Sequence, residues 1–155
     1  MSDEAPEQPA GDSGQRCLVV GYDRSESARR AIAWAVSDLL PDGKLVIVHG
    51  CRPLHAPTSP ISSAEERLQV GRAIVDELLL ESEDRLRDLD LATEILDSDP
   101  VSALIEASER HGANAIVVGS ERHSRLRRAL GVVTSELLQS SPVPVIVVPE
   151  SAATA

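Results

Sequence analysis

Two apolar runs of the sequence end in glycine and polar residues whose chemistry suits phosphate binding. Gly21–Asp23 follow the first run, and Gly119–His123 follow the fourth, with Gly131 and Thr134 shortly afterwards. A glycine at the end of a strand lets the backbone approach a ligand closely. The free N–H groups of a following helix then favour an anion. Taken together the two segments predict a nucleotide or phosphate site, although each glycine alone is better explained as a plain turn.

A group of basic residues lies within the second of these segments. It consists of Arg122, His123, Arg125, Arg127 and Arg128, in a chain whose formal net charge is −10. Arginine presents a planar fork of donors that pairs well with phosphate, so this group could replace backbone amides as the phosphate holder. The alternative is a solvated surface whose arginines pair with local carboxylates or with a partner subunit. We favour that alternative for Arg127 and Arg128 and leave both interpretations open for Arg122.

Other reactive residue types do not form a catalytic or metal-binding pattern. His55 and His111 lack partners at metal-ligand spacing, and His49 is expected to be a packed, hydrogen-bonded core residue. Asp97 and Asp99 are explained by a turn and a helix cap. The sequence contains no P-loop, G-x-G-x-x-G or G-x-S-x-G motif. We therefore expect a binding protein and not an enzyme, and slow ATP hydrolysis is the least favoured alternative.

Length and composition indicate one domain with an aliphatic core. The chain has 155 residues, 42% of them hydrophobic, with one Trp, one Tyr and no Phe. Its acidic charge opposes nucleic acid and anionic membranes as partners, and no apolar run approaches the ~18 residues of a membrane span. Cys17 and Cys51 are too few for a disulfide framework, which favours reduced, buried thiols in the cytoplasm. We expect disordered tails at residues 1–15 and 150–155 around a domain at 16–149.

Apolar runs and helical periodicities alternate along the whole domain. The runs at 17–22, 44–49, 92–96, 114–118 and 143–148 predict strands, and the periodic segments at 25–40, 64–89, 100–111 and 130–140 predict helices. The segment 52–63 contains three prolines and is expected to be a loop. Such alternation implies right-handed β-α-β crossovers and an α/β fold with a mostly parallel sheet between helix layers. Ligands of these folds bind at the carboxyl ends of the strands, where the winding direction reverses.

Four segments of the chain resemble the universal stress protein family over roughly residues 16–149. They read VVGYDRSESARRAIAWAV, LVIVH, SDPVSALIEASERHGANAIVVGS and LGVVTSELLQSSPVPVIVVP. The resemblance implies a three-layer sandwich with a five-stranded parallel sheet in the order 3-2-1-4-5, of the adenine nucleotide alpha-hydrolase-like type. It also implies a pocket for ATP or another adenine nucleotide between the first and fourth strands, the position that the glycines indicate independently.

Members of the family that bind ATP carry the pattern G-x2-G-x9-G-[S/T], and this chain departs from it. Gly119 supplies the first glycine, but Arg122 stands at the second. Gly131 lies one residue early for the third, and Val132 replaces the following hydroxyl residue. Thr134 matches another position at which the family offers a hydroxyl group to the phosphates. Loss of one hydroxyl-to-phosphate hydrogen bond costs about 1.5–3 kcal/mol, which predicts weakened ATP binding.

The resemblance transfers further residues to the expected site. Asp23 matches the acidic residue that the family uses near adenine and ribose, while Arg24 replaces a usual glycine. The complete set of candidate ligand-binding residues is Gly21, Tyr22, Asp23, Gly50, Val118, Gly119, Arg122, Gly131, Val132, Val133 and Thr134.

The last predicted strand, at 143–148, is apolar and contains or adjoins Pro142 and Pro144, as is typical of a sheet edge. Family members commonly dimerise through this strand in antiparallel fashion, and the resemblance implies a homodimer here. The alternative is an edge that the chain's own tail covers.

Two functions remain open from the sequence. The leading hypothesis is a cytoplasmic stress-response protein whose adenine-nucleotide pocket acts as a sensor that an unidentified protein partner reads. The rival is a family member that binds no nucleotide and acts as a dimeric protein-interaction module, and Arg122 and Val132 favour it.

Overall fold

The computed structural model describes residues 14–54, 62–120 and 131–150. Its strands are β1 (Cys17–Gly21), β2 (Lys44–Gly50), β3 (Asp90–Leu96), β4 (Ala115–Gly119) and β5 (Val145–Val148). Its helices are α1 (Glu26–Leu39), α2 (Ala64–Glu81), α3 (Glu83–Leu86), α4 (Pro100–Arg110) and α5 (Val132–Ser140). None of these helices combines the length and apolar character needed to cross a bilayer.

The five strands form one parallel sheet in the order β3-β2-β1-β4-β5. In the central register Val19 lies beside Val46 on one side and Ile116 on the other. The predicted fold class and strand order are therefore confirmed. The order places the reversal of winding between β1 and β4, so that the chain leaves these neighbouring strands toward opposite flanks of the sheet.

Helices cover both faces of the sheet, and the sheet divides the core in two. Helices α1, α2 and α3 pack with Leu18 and Val20 of β1 on one face, while α4 and α5 pack with Cys17 and Val19 on the other. Consecutive residues of β1 are therefore buried on opposite sides. This explains why the central strands read as continuous aliphatic runs and do not alternate with polar residues.

The helix starts follow the capping residues in the sequence. The Ser25 hydroxyl accepts the Ala28 N–H at 3.1 Å at the start of α1. Asp99 accepts the Ser102 N–H at 3.0 Å ahead of Pro100, as predicted. After α4, Gly112 adopts a φ of +58°, a left-handed conformation that glycine adopts without steric cost and that ends the helix.

The predicted long helix at 64–89 is wrong in its extent. The structure ends α2 at Glu81, because Ser82 has a φ of −112° and a ψ of 12°, outside the helical region. The short α3 then carries Leu86 into the core beside Leu78. Leu78 and Leu86 both belong to the core cluster on this face of the sheet.

Two strand predictions also need correction. The last strand covers Val145–Val148 and not 143–148, since Pro144 lacks the N–H group that a ladder position requires. The third strand begins earlier than predicted, at Asp90, and pairs with β2 along its full length. The predicted tails at 1–15 and 150–155 lie almost wholly outside the described residues, and the domain boundaries at 16 and 149 remain predictions.

Candidate functional site

A pocket of about 540 Å³ opens at the carboxyl edge of the sheet, the edge at which all five strands end. Its walls come from the ends of β1, β2 and β4 and from the first turns of α1, α4 and α5. Pockets for small molecules and cofactors generally occupy about 300–1,000 Å³, so the space suits a ligand of nucleotide size. The chain segments that follow β1 and β4 therefore meet at one open crevice.

The pocket brings together the residues singled out from the sequence. All of them that are described line it, namely Gly21, Tyr22, Asp23, Gly50, Val118, Gly119, Gly131, Val132, Val133 and Thr134. Arg122 lies outside the described residues, as do His123, Arg125, Arg127 and Arg128 of the basic group. The structure thus places the two glycine-containing segments side by side.

Gly119 allows the end of β4 to touch the first turn of α1. A methyl group at position 119 would lie 2.1 Å from the carbonyl oxygen of Ser27 and 2.5 Å from its carbonyl carbon. No side chain can occupy that space without movement of backbone. The absence of a side chain at Gly119 is therefore what closes the floor of the pocket between β4 and α1.

The first turn of α5 forms an electropositive end of the pocket. Gly131 occupies the N-cap position, and no side-chain hydrogen bond caps this helix. The first N–H groups of a helix have no partners within it, and the helix dipole adds a partial positive charge there. Thr134 is 4% exposed and lines the pocket beside this helix start.

The two other helix starts at the pocket are already occupied by the chain's own side chains. Ser25 caps α1, and the Asp23 carboxylate accepts the Ser25 N–H at 2.9 Å. Asp99 caps α4 with a full negative charge, and Pro100 at the first helical position has no N–H to donate. Of the three helix starts that line the pocket, α5 is thus the one suited to an anion.

His49 lies at the pocket and not deep in the core. Its Nδ1 lies 2.7 Å from the carbonyl oxygen of Tyr22. A carbonyl oxygen can only accept, so Nδ1 carries the proton and Nε2 is left as an acceptor when the ring is neutral. The prediction of a hydrogen-bonded histidine agrees with this contact, but the sequence alone did not place His49 in the site.

The side chain of Tyr22 points away from the pocket, into the core between β1 and α1. It is 3% exposed, and the Arg29 guanidinium stacks over its ring at 5.5 Å from the ring centre. Burial raises the pKa of the Tyr22 phenol above its usual range.

Arg24, which stands where the family has glycine, adopts a φ of 69°, the conformation that glycine favours.

Several lining residues were not predicted, namely Ser25, Ser27, Ala28, Val48, His49, Leu54, Pro100 and Leu104. Ser25 and Ser27 carried a usable signal, because they follow β1 directly and begin α1. Pro100 carried one too, as the first residue of a helix that follows a strand. Leu104 carried no such signal, because it reaches the pocket only through the packing of α4 beside Gly21. A methyl group on Gly21 would lie 3.4 Å from the Leu104 side chain.

One wall of the pocket joins the end of β2 to the start of α4. A methyl group on Gly50 would lie 2.9 Å from the backbone of both Asp99 and Pro100, so the two segments are in direct backbone contact. The chain beyond β2 continues this pairing, since the Cys51 N–H donates to Leu96 and the Arg52 N–H to Ser98, at 2.9 and 3.0 Å.

Asp97 does more than form a turn. Its carboxylate accepts two hydrogen bonds from Arg52 and two from Arg67, at 2.7–3.2 Å. The guanidinium of Arg67, followed by that of Arg52, holds the pKa of the Asp97 carboxyl well below its usual range, so it is ionised at neutral pH. Asp99, in contrast, acts as the helix cap that the sequence predicts.

The remaining candidates have structural partners. His111 Nε2 lies 3.0 Å from Glu94, which also pairs with Arg110. His55 lies outside the described residues. Within those residues no cluster of three or more potential metal ligands occurs. Cys17 is buried as predicted, whereas Cys51 is only half-buried, and burial raises the pKa of both thiols.

Comparison with known proteins gives a consistent picture. A family model described as the universal stress protein family matches residues 16–149. A universal stress protein of Mycobacterium tuberculosis strain H37Rv is 28% identical over 142 residues, covering 88% of this chain and 97% of that protein.

Solved structures also resemble this chain. The universal stress protein UspA from Lactobacillus plantarum superposes with a TM-score of 0.62 at 21% identity, covering 86% of this chain and 97% of that one. A universal stress protein in complex with cAMP superposes with a TM-score of 0.56 at 25% identity, covering 88% and 98% of the two chains.

Proposed function

The chain belongs to the universal stress protein family, and we propose that its carboxyl-edge pocket binds an adenine nucleotide, with a phosphoryl group at the first turn of α5. The protein acts in the cytoplasm as a regulator and not as a catalyst, and its nucleotide state is read by a protein partner. The observation that carries the proposal is the open pocket of about 540 Å³, which the uncapped start of α5 and the buried Thr134 both line.

The phosphoryl group is held by backbone and hydroxyl donors. The N–H groups of the first turn of α5 supply donors and a favourable dipole, and Thr134 supplies a further O–H donor. Gly131 leaves this approach open, because no atom of the described residues lies within 4 Å of where a methyl group on it would stand. The four arginines between positions 122 and 128 come shortly before this helix in the sequence. Their positive charge favours ligands with more than one phosphoryl group.

The nucleoside lies between aliphatic walls and the polar side chain of Asp23. Leu54, Leu104 and Val118 supply apolar surface for a flat base. Asp23 is exposed at the rim and offers carboxylate oxygen to ribose hydroxyls. Complementary hydrogen bonds of this kind select among nucleosides, because an unmatched polar group in a pocket loses its bonds to water.

A related structure and the shape of the site both support nucleotide binding over its rival. The 25% identical universal stress protein was solved in complex with cAMP. The rival, a non-binding interaction module, would be expected to have side chains filling the crevice, whereas the crevice formed by the described residues is open. Isothermal titration with AMP, cAMP, ADP and ATP tests the proposal directly. Absence of binding by all four at millimolar concentration would overturn it.

Replacement of Thr134 by valine is expected to weaken nucleotide binding about 10- to 100-fold, since one hydrogen bond to a charged group is worth roughly 1.5–3 kcal/mol. The two side chains have nearly the same shape, so the melting temperature should change little. Thr93→Val, at an exposed position of β3, is the matched control and should bind like the wild type. Equal affinities of the two variants, measured by titration, would exclude Thr134 from the phosphate site.

We also propose a homodimer formed through the free edge of β5. Within the described part of the chain β5 pairs only with β4. The carbonyl of Pro144 accepts from Ile116 of β4, and that of Val148 accepts from Ser120, just after β4. The backbone groups of Val145 and Val147 therefore point away from the sheet by the two-residue alternation of a strand. Those outward groups are available to pair with a second copy.

Val147→Pro is therefore expected to weaken dimerisation about 100-fold, because proline removes an outward N–H in each subunit while the bonds to β4 are retained. Val147→Ala loses the same side-chain packing but keeps the N–H group, and should remain dimeric. Sedimentation velocity over a range of concentrations measures both. If the Val147→Pro variant dimerises at the same concentrations as the wild type, the interface must lie elsewhere.

A further inference from the structure

Asp97 is the centre of a compact ionic cluster whose members are not among the residues that line the pocket. Arg52 contacts both carboxylate oxygens with Nε and Nη2, at 3.2 and 3.0 Å, and Arg67 does the same at 2.7 and 3.0 Å. Two guanidinium groups thus share one carboxylate in bidentate geometry. We call Asp97, Arg52 and Arg67 the Asp97 junction. The side chains of Arg67 and Asp97 are only 14% and 17% exposed, so solvent screens their interaction poorly.

The Asp97 junction ties together the two ends of the connection between β2 and α2. Arg52 lies just after β2, and Arg67 lies in the first turn of α2. Arg67 also donates to the backbone carbonyl of Ser62 at 2.6 Å, just before that helix. One carboxylate at the end of β3 therefore holds the chain where it leaves β2 and where it enters α2.

The residues joined by these hydrogen bonds lie next to one wall of the pocket. The Arg52 N–H donates to the carbonyl of Ser98, next to Asp97. Leu54 lines the pocket two residues beyond Arg52, and Pro100 lines it three residues beyond Asp97. Gly50 contacts the backbone of Pro100 at a distance that leaves no space for a side chain. The positions of Gly50, Leu54 and Pro100 relative to each other thus depend on what joins the two segments.

We propose that Asp97 is a positioning residue for the nucleotide site, which holds the wall formed by Gly50, Leu54 and Pro100 closed against the bound ligand. This inference rests on the proposed function for its effect on binding. Loss of the carboxylate charge leaves two guanidinium groups facing each other without a counter-charge. They separate, and the segment that carries Leu54 moves away from the α4 side of the pocket.

Asp97→Asn is the variant that tests this, because the side chain keeps its size and loses its charge. We expect the nucleotide to dissociate about tenfold faster, with a smaller change in association rate, as is usual when a contact that retains a ligand is weakened. Asp97→Glu keeps the charge and should restore most of the wild-type dissociation rate. Release of a fluorescent N-methylanthraniloyl adenine nucleotide, followed by stopped flow, gives both rates.

Glu94→Gln is the matched control. Glu94 lies in β3, three residues before Asp97, is similarly buried at 12% exposure, and also pairs with two basic side chains, Arg110 and His111. None of these three residues lines the pocket. A purely structural role for Asp97 predicts that both variants lower the melting temperature and that neither changes the dissociation rate. A selective increase for Asp97→Asn supports the positioning role.

Hydrogen exchange measured by mass spectrometry separates this inference from the proposed function. In Asp97→Asn the amides of residues 50–54 should exchange at least about tenfold faster than in the wild type, with or without a nucleotide. Unchanged exchange at 50–54, or a wild-type dissociation rate in a protein that binds nucleotide, overturns the positioning role. If the wild type binds no nucleotide, the proposed function fails, and exchange at 50–54 alone decides whether Asp97 holds this wall.

Discussion

Replacement of Gly119 by alanine is expected to lower the free energy of unfolding by about 3 kcal/mol, a large effect for one methyl group. The methyl carbon would lie 2.1 Å from the carbonyl oxygen of Ser27, and both atoms belong to regular elements, the end of β4 and the start of α1. Neither backbone can yield without breaking packing on one face of the sheet. The same displacement would open the floor of the pocket and weaken any ligand held there.

Urea unfolding followed by circular dichroism measures this loss, with the midpoint falling while the slope is retained. Gly131→Ala is the appropriate control. Its methyl group meets no atom of residues 14–54, 62–120 or 131–150 within 4 Å, and the φ of −60° at Gly131 is accessible to alanine. The control should stay within about 1 kcal/mol of the wild type. A Gly119→Ala protein as stable as the control would show that β4 and α1 do not approach each other this closely.

Gly131→Asp is expected to change stability and nucleotide binding in opposite directions. Aspartate is a better helix N-cap than glycine by a few tenths of a kcal/mol, and its charge interacts favourably with the helix dipole, so α5 should gain roughly 0.5 kcal/mol. The same carboxylate would occupy the N–H groups proposed to bind phosphate and would repel the ligand. Loss of two charge-assisted hydrogen bonds predicts at least about a 100-fold loss of affinity.

Gly131→Asn distinguishes the causes of that loss. Asparagine caps the helix about as well as aspartate but carries no charge, so its affinity should fall between those of the wild type and Gly131→Asp. Thermal unfolding and nucleotide titration of the three proteins provide the comparison. Wild-type affinity in Gly131→Asp would remove the phosphoryl group from α5 and would require another anion site.

Most of the fold could be predicted from the sequence because each element is encoded locally. Ser25 and Asp99 mark helix starts, Gly112 marks a helix end, and the uninterrupted aliphatic strands indicate a sheet buried on both faces. The errors lie where local patterns are weak. Nothing in the periodicity of 64–89 marks the break at Ser82, since Leu78 and Leu86 both read as inward positions on a single helix.

The site could be predicted only in part, because its two halves lie about a hundred residues apart in the chain. The glycine-containing segments were identifiable from residue type, and the parallel order of strands requires their ends to meet at one edge. The walls were not identifiable in this way. Leu54 and Leu104 read as ordinary aliphatic residues, and Asp97 reads as part of a turn until Arg52 and Arg67 are seen around it.

The sequence by itself determined the class of fold, the strand order through family resemblance, and the two glycine-containing segments that follow the first and fourth strands. These properties depend on residue type and on neighbours within a few positions. Only the tertiary structure decided that the crevice is open, that α5 offers an uncapped start while α1 and α4 do not, and that Gly119 lies against Ser27. Such contacts arise from the packing of distant segments, whose separation in space no local pattern records.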